Sequence, residues 1–377
     1  MDFSFNDDHM ALRDAVQRFC AGVYPAQHRG NVEDAALASQ RWAGMAELGL
    51  LGLPFDAELG GSGQGAIESM LVAQELGRAL GGGAWLSSVV LAGQLLAEAG
   101  TPEQCSRWLP QLAAGELQIA LGCHEPDARY DLGDVQTTAC TDTGGWLIDG
   151  RKTLVLHGDS AGLLLVVARS AGLRRDASGL TIFAVDAVTP GLRVQGFDTL
   201  DGRRAAHLDL NGVRVGNDRV VGAIGGAWAL LDAAQDRANA ALVADAAGAL
   251  EALIELTCEH LRTRKQFGAP LAKFQALQHR VADMLMALEQ VKSMACAAAM
   301  AVAAGEPAQR ARIVSAAKAF AAPLVRDAGM TAIQLHGAMG MTDECRAGHY
   351  AKHLLVVGQL CGDAAHHLRR YAAQAQH

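Results

Sequence analysis

The 377 residues contain no pair of cysteines at the CxxC spacing that holds structural zinc. The eight cysteines, Cys20, Cys105, Cys123, Cys140, Cys258, Cys296, Cys345 and Cys361, are scattered. The opening MDFSFNDDHM is acidic and polar, not an export leader. Free thiols and a cytoplasmic location are therefore expected. Positive charge is scarce as well: 32 Lys and Arg stand against 40 Asp and Glu, for a net charge of -8. That excludes a general nucleic-acid binder with a basic face, while leaving room for a local phosphate site. No apolar run is long enough to span a bilayer; the longest, about residues 294–304, is short and alanine-rich. Internal repeats and low-complexity linkers are missing. His366 and His367 lack the i, i+4 spacing of a helical metal site, so no metal is expected. What the chain has is apolar substance. Half of its residues are hydrophobic, enough for two or three packed regions.

Three regions follow from the patterning. Residues 1–118 read as a helical domain: NDDHMALRDAVQRFC opens with a capping Asn/Asp cluster, and Met10, Leu12, Val16 and Phe19 follow at helical spacing. LPFDAELGGSGQG is a glycine-rich loop within it. Residues 119–224 break into short runs rich in Val, Leu, Ile and Thr, punctuated by Gly, Asp and Pro, as in an antiparallel β-domain. Residues 225–377 return to helix, beginning with a long alanine-rich segment from about Gly226 to Arg264. The fold class is α+β, in the order helical, β, helical.

Four stretches carry chemistry. RTRKQFGAPLAKFQALQHRVADM (262–284) places Arg264, a cation with a planar fork suited to pyrophosphate, on a turn between two helices. Phe267 and Gly268 suit a tight turn passed by a flat ring. The plain alternative is an ordinary helix–helix turn with a surface arginine. In QLHGAMGMTDE (334–344), Gly337 and Gly340 permit close backbone approach to a ligand. They also suit a simple helix C-cap. LGCHEPDARYD (121–131) and GWLIDGRKTLVLHG (145–158) complete the set.

Together with the order of regions, these motifs resemble the acyl-CoA dehydrogenase family of flavoproteins over nearly the whole chain. They correspond to the family's R-K-x-F-G turn, Q-x-x-G-G-x-G stretch, T-E-P-x-x-G-S-D flavin loop and W-I-T strand. The resemblance implies FAD, an acyl-CoA substrate, an electron-transfer flavoprotein as electron acceptor, and at least a dimer. It puts the flavin contacts on Leu121, Cys123, His124, Leu154, Leu156, Arg264, Gln266, Phe267, Phe274, Gln275, Gln334, Gly337 and Ala338. Several depart from the family pattern. His124 replaces a threonine, Arg129–Tyr130 replaces Gly-Ser, and Leu154-Val155-Leu156 replaces W-I-T. The Leu156 side chain cannot hydrogen-bond a flavin ring, whereas His124 is able to; the plain alternative for His124 is a polar side chain satisfied within a β-loop.

The family reaction needs a carboxylate base to remove a proton α to the thioester. Ungapped counting places one family position at Cys361, in GQLCGD (358–363), and the other at Ala238, followed by Asn239 where an arginine is usual. Neither is a carboxylate. Asp363 and Asp236, two residues from these positions, are weak substitutes, because two residues turn a helix by about 200°. Cys361 as a base would need a lowered thiol pKa, and no adjacent cation supplies one. Its bland reading is a small packing residue. Asp363 would also repel flavin phosphates unless paired, with His366, His367 or Arg369 at hand. The wording is most similar to the paired subunits of heteromeric steroid side-chain-degrading dehydrogenases, where one chain supplies the base. The alternatives are a homomeric enzyme with an unusual base, or a structural subunit without flavin.

Overall fold

A computed structural model describes residues 5–24 and 35–374. By internal contacts the chain forms two compact units. One gathers Gly65–Gly82 and Asn239–His377 with the first helix; the other takes residues 33–64 and Gly83–Ala238.

The first unit is helical. Helix α1 (Asp7–Val23) starts where Asn6 accepts the His9 N–H at 2.8 Å and the His9 ring answers the Asn6 N–H. The reciprocal cap satisfies two orphan donors. Its buried residues are Val16 and Cys20, while Met10 stays exposed. The buried stripe is thus shifted and narrower than the expected Met10–Leu12–Val16–Phe19 face.

Helix α3 (Ala66–Ala79) belongs to the same unit. It crosses α6 (Ala227–Thr263) where neither helix carries a side chain. A Cβ on Gly77 would sit 2.1 Å from the Asp245 carbonyl oxygen, and one on Gly248 would sit 1.8 Å from that of Gln74. After α6 come a two-residue hairpin (Lys265–Gln266 with Ala269–Pro270), α7 (Gln275–Ala304), α8 (Pro307–His336), α9 (Arg346–Gln359) and α10 (Ala364–Gln374). Glu306 caps α8 through the Ala308 and Gln309 amides, and Pro307 occupies the first turn where no donor is needed. By length and composition α7 alone among the described helices could cross a membrane. Here its Met284, Leu288, Val291 and Ala295 are buried, and α7 packs on α8.

The second unit holds α2 (Ala35–Glu47), α4 (Gly83–Ala99, with a π-type stretch at Leu86–Gly93), α5 (Pro102–Ala113) and the β-domain. Its strands are β1 (Ile119–Gly122), β2 (Thr138–Asp142), β3 (Gly145–Leu156), β4 (Leu163–Arg169), β5 (Leu180–Asp186), β6 (Leu192–Asp198), β7 (Arg204–Gly216) and β8 (Val220–Val221). The order is β6-β7-β3-β2-β4-β5-β8, with β1 added on β4. Pairing is antiparallel except at β1–β4 and the single β2–β4 bridge, which are parallel. Trp146, Ile148 and Val155 of β3 pack with Val166, Phe183 and Leu208 in one core, and the Trp146 and Phe183 rings lie 5.3 Å apart. Strands β4 and β5 are buried on both faces, whereas β6 alternates at the edge.

Candidate functional site

In the β-domain, β1 delivers Leu121 and Cys123, both buried, and then half-buried His124. The next residue makes an ion pair that sequence reasoning missed. Glu125 Oε1 lies 2.6 Å from Lys152 Nζ, with both side chains out of solvent. The same carboxylate accepts the Gln136 and Thr137 amides at 2.7 and 3.0 Å. Burial works to raise the Glu125 carboxyl, but the Lys152 cation and these donors hold it below the ordinary carboxylate range. The pair fastens the loop after β1 to β3. The only signal in the sequence was a lysine set in an apolar strand.

The residue after Lys152 continues the same fastening, as the Thr153 N–H donates to the His124 carbonyl at 2.9 Å. The β3–β7 register then slips between Lys152 and Val155. This bulge puts Leu154 in a left-handed conformation, with φ 48° and 37% exposure. Leu156 turns back into the protein. Burial, with the Lys152 cation second, pushes the His124 imidazole down to about 4, so the ring is neutral near pH 7. Burial likewise pushes the Cys123 thiol up to about 11, against the pull of Lys152. This edge therefore offers apolar walls and one neutral ring.

In the helical unit, Arg264, Gln266, Phe267, Gln275, Gln334, Gly337 and Ala338 are all exposed, and Phe274 is half-buried. Phe267 and Gly268 form the turn of the hairpin with φ 54° and 77°. A bulky residue rarely adopts that conformation, and this one is 87% exposed. Its ring stands edge-on to Phe274 at 6.1 Å. A Cβ on Gly268 or Gly337 would meet nothing within 4 Å, so both glycines border open space. Arg264, Gln266, Gln275 and Gln334 bring donors with no carboxylate in the set. That chemistry fits a flat ring system with attached phosphates.

The two base positions hold what the sequence shows there. Ala238 is fully buried, and Cys361 is buried at the end of α9 with φ 56°. The Cys361 carbonyl is held from two sides, by Asn239 Nδ2 at 3.2 Å and His367 Nε2 at 3.0 Å. Lys318, buried on α8, donates to the Val357 and Leu360 carbonyls at 2.5 and 2.9 Å. Burial, then the Lys318 cation, drives the His367 imidazole down to about 3, so it donates as a neutral ring. Asp363 is committed locally, because its Oδ1 accepts the His366 backbone N–H at 2.7 Å at the start of α10. It is thus paired with a backbone amide of His366, not with a side chain of His366, His367 or Arg369. Asp236 is fully buried. The C-terminal helix is also less solvated than its basic sequence suggests: His367 is buried and Arg370 Nη1 reaches Ser315 Oγ at 3.1 Å.

Comparison with known proteins identifies the family. Models of the acyl-CoA dehydrogenase N-terminal, middle and C-terminal domains match residues 6–116, 120–213 and 225–375. A probable acyl-CoA dehydrogenase, YngJ of Bacillus subtilis, is 30% identical over 91% of each chain. Acyl-CoA dehydrogenase fadE12 of Mycobacterium tuberculosis is 31% identical over 91% of this chain and 90% of its own. Among solved structures, butyryl-CoA dehydrogenase of Megasphaera elsdenii superposes with a TM-score of 0.92 at 23% identity, covering 100% of both chains. A variant of the Tcur3481-Tcur3483 steroid ACAD superposes with a TM-score of 0.87 at 26% identity over 98% of each. The chain belongs to the acyl-CoA dehydrogenase family of oxidoreductases.

Proposed function

We propose that this chain is a subunit of an FAD-linked acyl-CoA dehydrogenase that lacks its own base and works with a second, different chain that carries one. The reaction is α,β-desaturation of an acyl-CoA thioester, with electrons passed on to an electron-transfer flavoprotein in the cytoplasm. The observation that carries the reading is the clamp at residue 361. Its backbone carbonyl is fixed by Asn239 and His367, yet the side chain it presents is a thiol, and Ala238 offers no alternative. Asp363 is engaged as a helix cap.

Bound FAD supplies acceptance of the hydride leaving the β-carbon. In the β-domain, Leu121, Cys123, His124, Leu154 and Leu156 are proposed FAD contacts. In the helical unit the proposed contacts are Arg264, Gln266, Phe267, Phe274, Gln275, Gln334, Gly337 and Ala338, and the family resemblance implies that the Arg264 turn and the Gly337 run reach the FAD of a neighbouring subunit. Arg264 suits the pyrophosphate, the Phe267 face suits an aromatic ring, and neutral His124 offers the ring pocket a hydrogen bond that Leu156 cannot. The β-domain residues exclude water, and the proton goes to a carboxylate of the partner chain. A bulky ring-bearing acyl group, such as a steroid side-chain thioester, goes with this reading. Its support is the similarity to a steroid ACAD whose name pairs two designations.

The test is the visible spectrum of the protein purified alone and with candidate partner chains, before and after anaerobic addition of an acyl-CoA panel. Flavin that bleaches only in the presence of the partner is the expected result. Bleaching of the lone chain overturns the missing-base reading. Cys361→Glu sharpens the comparison: the clamp would hold the new carboxylate at the family position, and the lone variant should then reduce its flavin. A colourless complex with a carboxylate-bearing partner would leave this chain as a structural subunit.

A further inference from the structure

The Arg264 turn and the Gly337 run are joined by a pair of imidazoles. His260 lies in the last turn of α6, four residues before Arg264, and His336 ends α8 immediately before Gly337. Their rings stack with centroids 4.5 Å apart and planes 27° from parallel. His336 Nδ1 is 2.9 Å from the Ala332 carbonyl, an acceptor, so that nitrogen carries the proton. Its Nε2 is then a bare lone pair, and it is buried with no partner. A proton on His260 would face the other ring and Arg264. Burial first, then His336 and Arg264, hold the His260 imidazole below its ordinary range, and no carboxylate acts in the other direction.

We propose that His260 and His336 are positioning residues whose neutral stack fixes the Arg264 turn against the Gly337 run. The flavin-facing surface is assembled while the stack is intact and loosens when His260 gains a proton. The inference rests on the reading of that surface as flavin-binding. Because the folded chain resists a proton on His260, the stack contributes fully above the ordinary imidazole range, near pH 6.5, and its contribution falls away as pH drops below it.

His260→Phe, His336→Phe and the double variant keep an aromatic ring and remove the charge. Flavin retained after gel filtration of the assembled protein is measured from pH 8 to pH 5.5. The wild type should lose about five-fold more flavin than the double variant at pH 5.5, with equal retention at pH 8. Superimposable pH profiles overturn the proposal. If the wild type carries no flavin even at pH 8, the surface assignment is what fails. The stack is then judged by the thermal midpoint of the flavin-free chain. A smaller drop between pH 7.5 and pH 5.5 in the variant supports it, and an equal drop overturns it. Should His336→Phe not fold because the larger ring is refused, His260→Phe on the less buried partner makes the same comparison.

Discussion

Lys152 has its whole side chain out of water and a single carboxylate to meet it, so removing the ammonium leaves Glu125 charged and stranded. Lys152→Met is expected to lower stability by about 3–5 kcal/mol, read by denaturant titration. Glu125 sits below the ordinary carboxylate range, so its contribution is present above about pH 4.5 and is lost as acid protonates it. The wild type should therefore show an acid-side fall in stability that Lys152→Met lacks. The fastening was illegible in the sequence because Glu125 and Lys152 are 27 residues apart and nothing local requires them to meet. Motif counting alone singles out Leu156 and Cys361 as positions to examine. What Cys361 contributes was not legible, because its carbonyl is gripped by residues from α6 and α10 that have no motif of their own.

Among the elements, the hairpin after α6 holds an aromatic residue in a conformation suited to glycine. Phe267→Gly removes backbone strain of about 1–2 kcal/mol, against roughly 1 kcal/mol of added unfolded-state entropy. Thermal stability should stay level or rise slightly, while retained flavin falls; a variant that keeps its flavin argues against Phe267 as a contact. The end of α9 is held in the opposite way, by donors brought to orphan carbonyls. Lys318→Met withdraws both of its bonds to α9 and should cost about 2–4 kcal/mol by the same denaturant assay. Strand positions were readable because β-branched runs between glycines have few alternatives. The bulge at Leu154 was not, because a slipped register depends on the partner strand.

At the scale of the molecule, the order helical, β, helical was evident from composition alone, since the change from alanine-rich to valine-rich segments is abrupt. The division by contacts was not evident. Residues 65–82 join the C-terminal helices across more than a hundred intervening residues. Their place is decided at Gly77 and Gly248, where α3 and α6 meet backbone to backbone. Asn239 stands nine residues before Gly248 on the same helix, about 13 Å along its axis. The crossing thus acts as a fixed gauge for the clamp on Cys361. Side chains around the clamp can be exchanged as substrates change, but no exchange of side chains can reset the gauge, because none lies between the two helices there. Even one methyl group at Gly248 would have to lift α3 off its seat. Diversification at this site is therefore expected to come from the residues hung on α6 and not from moving the helix itself.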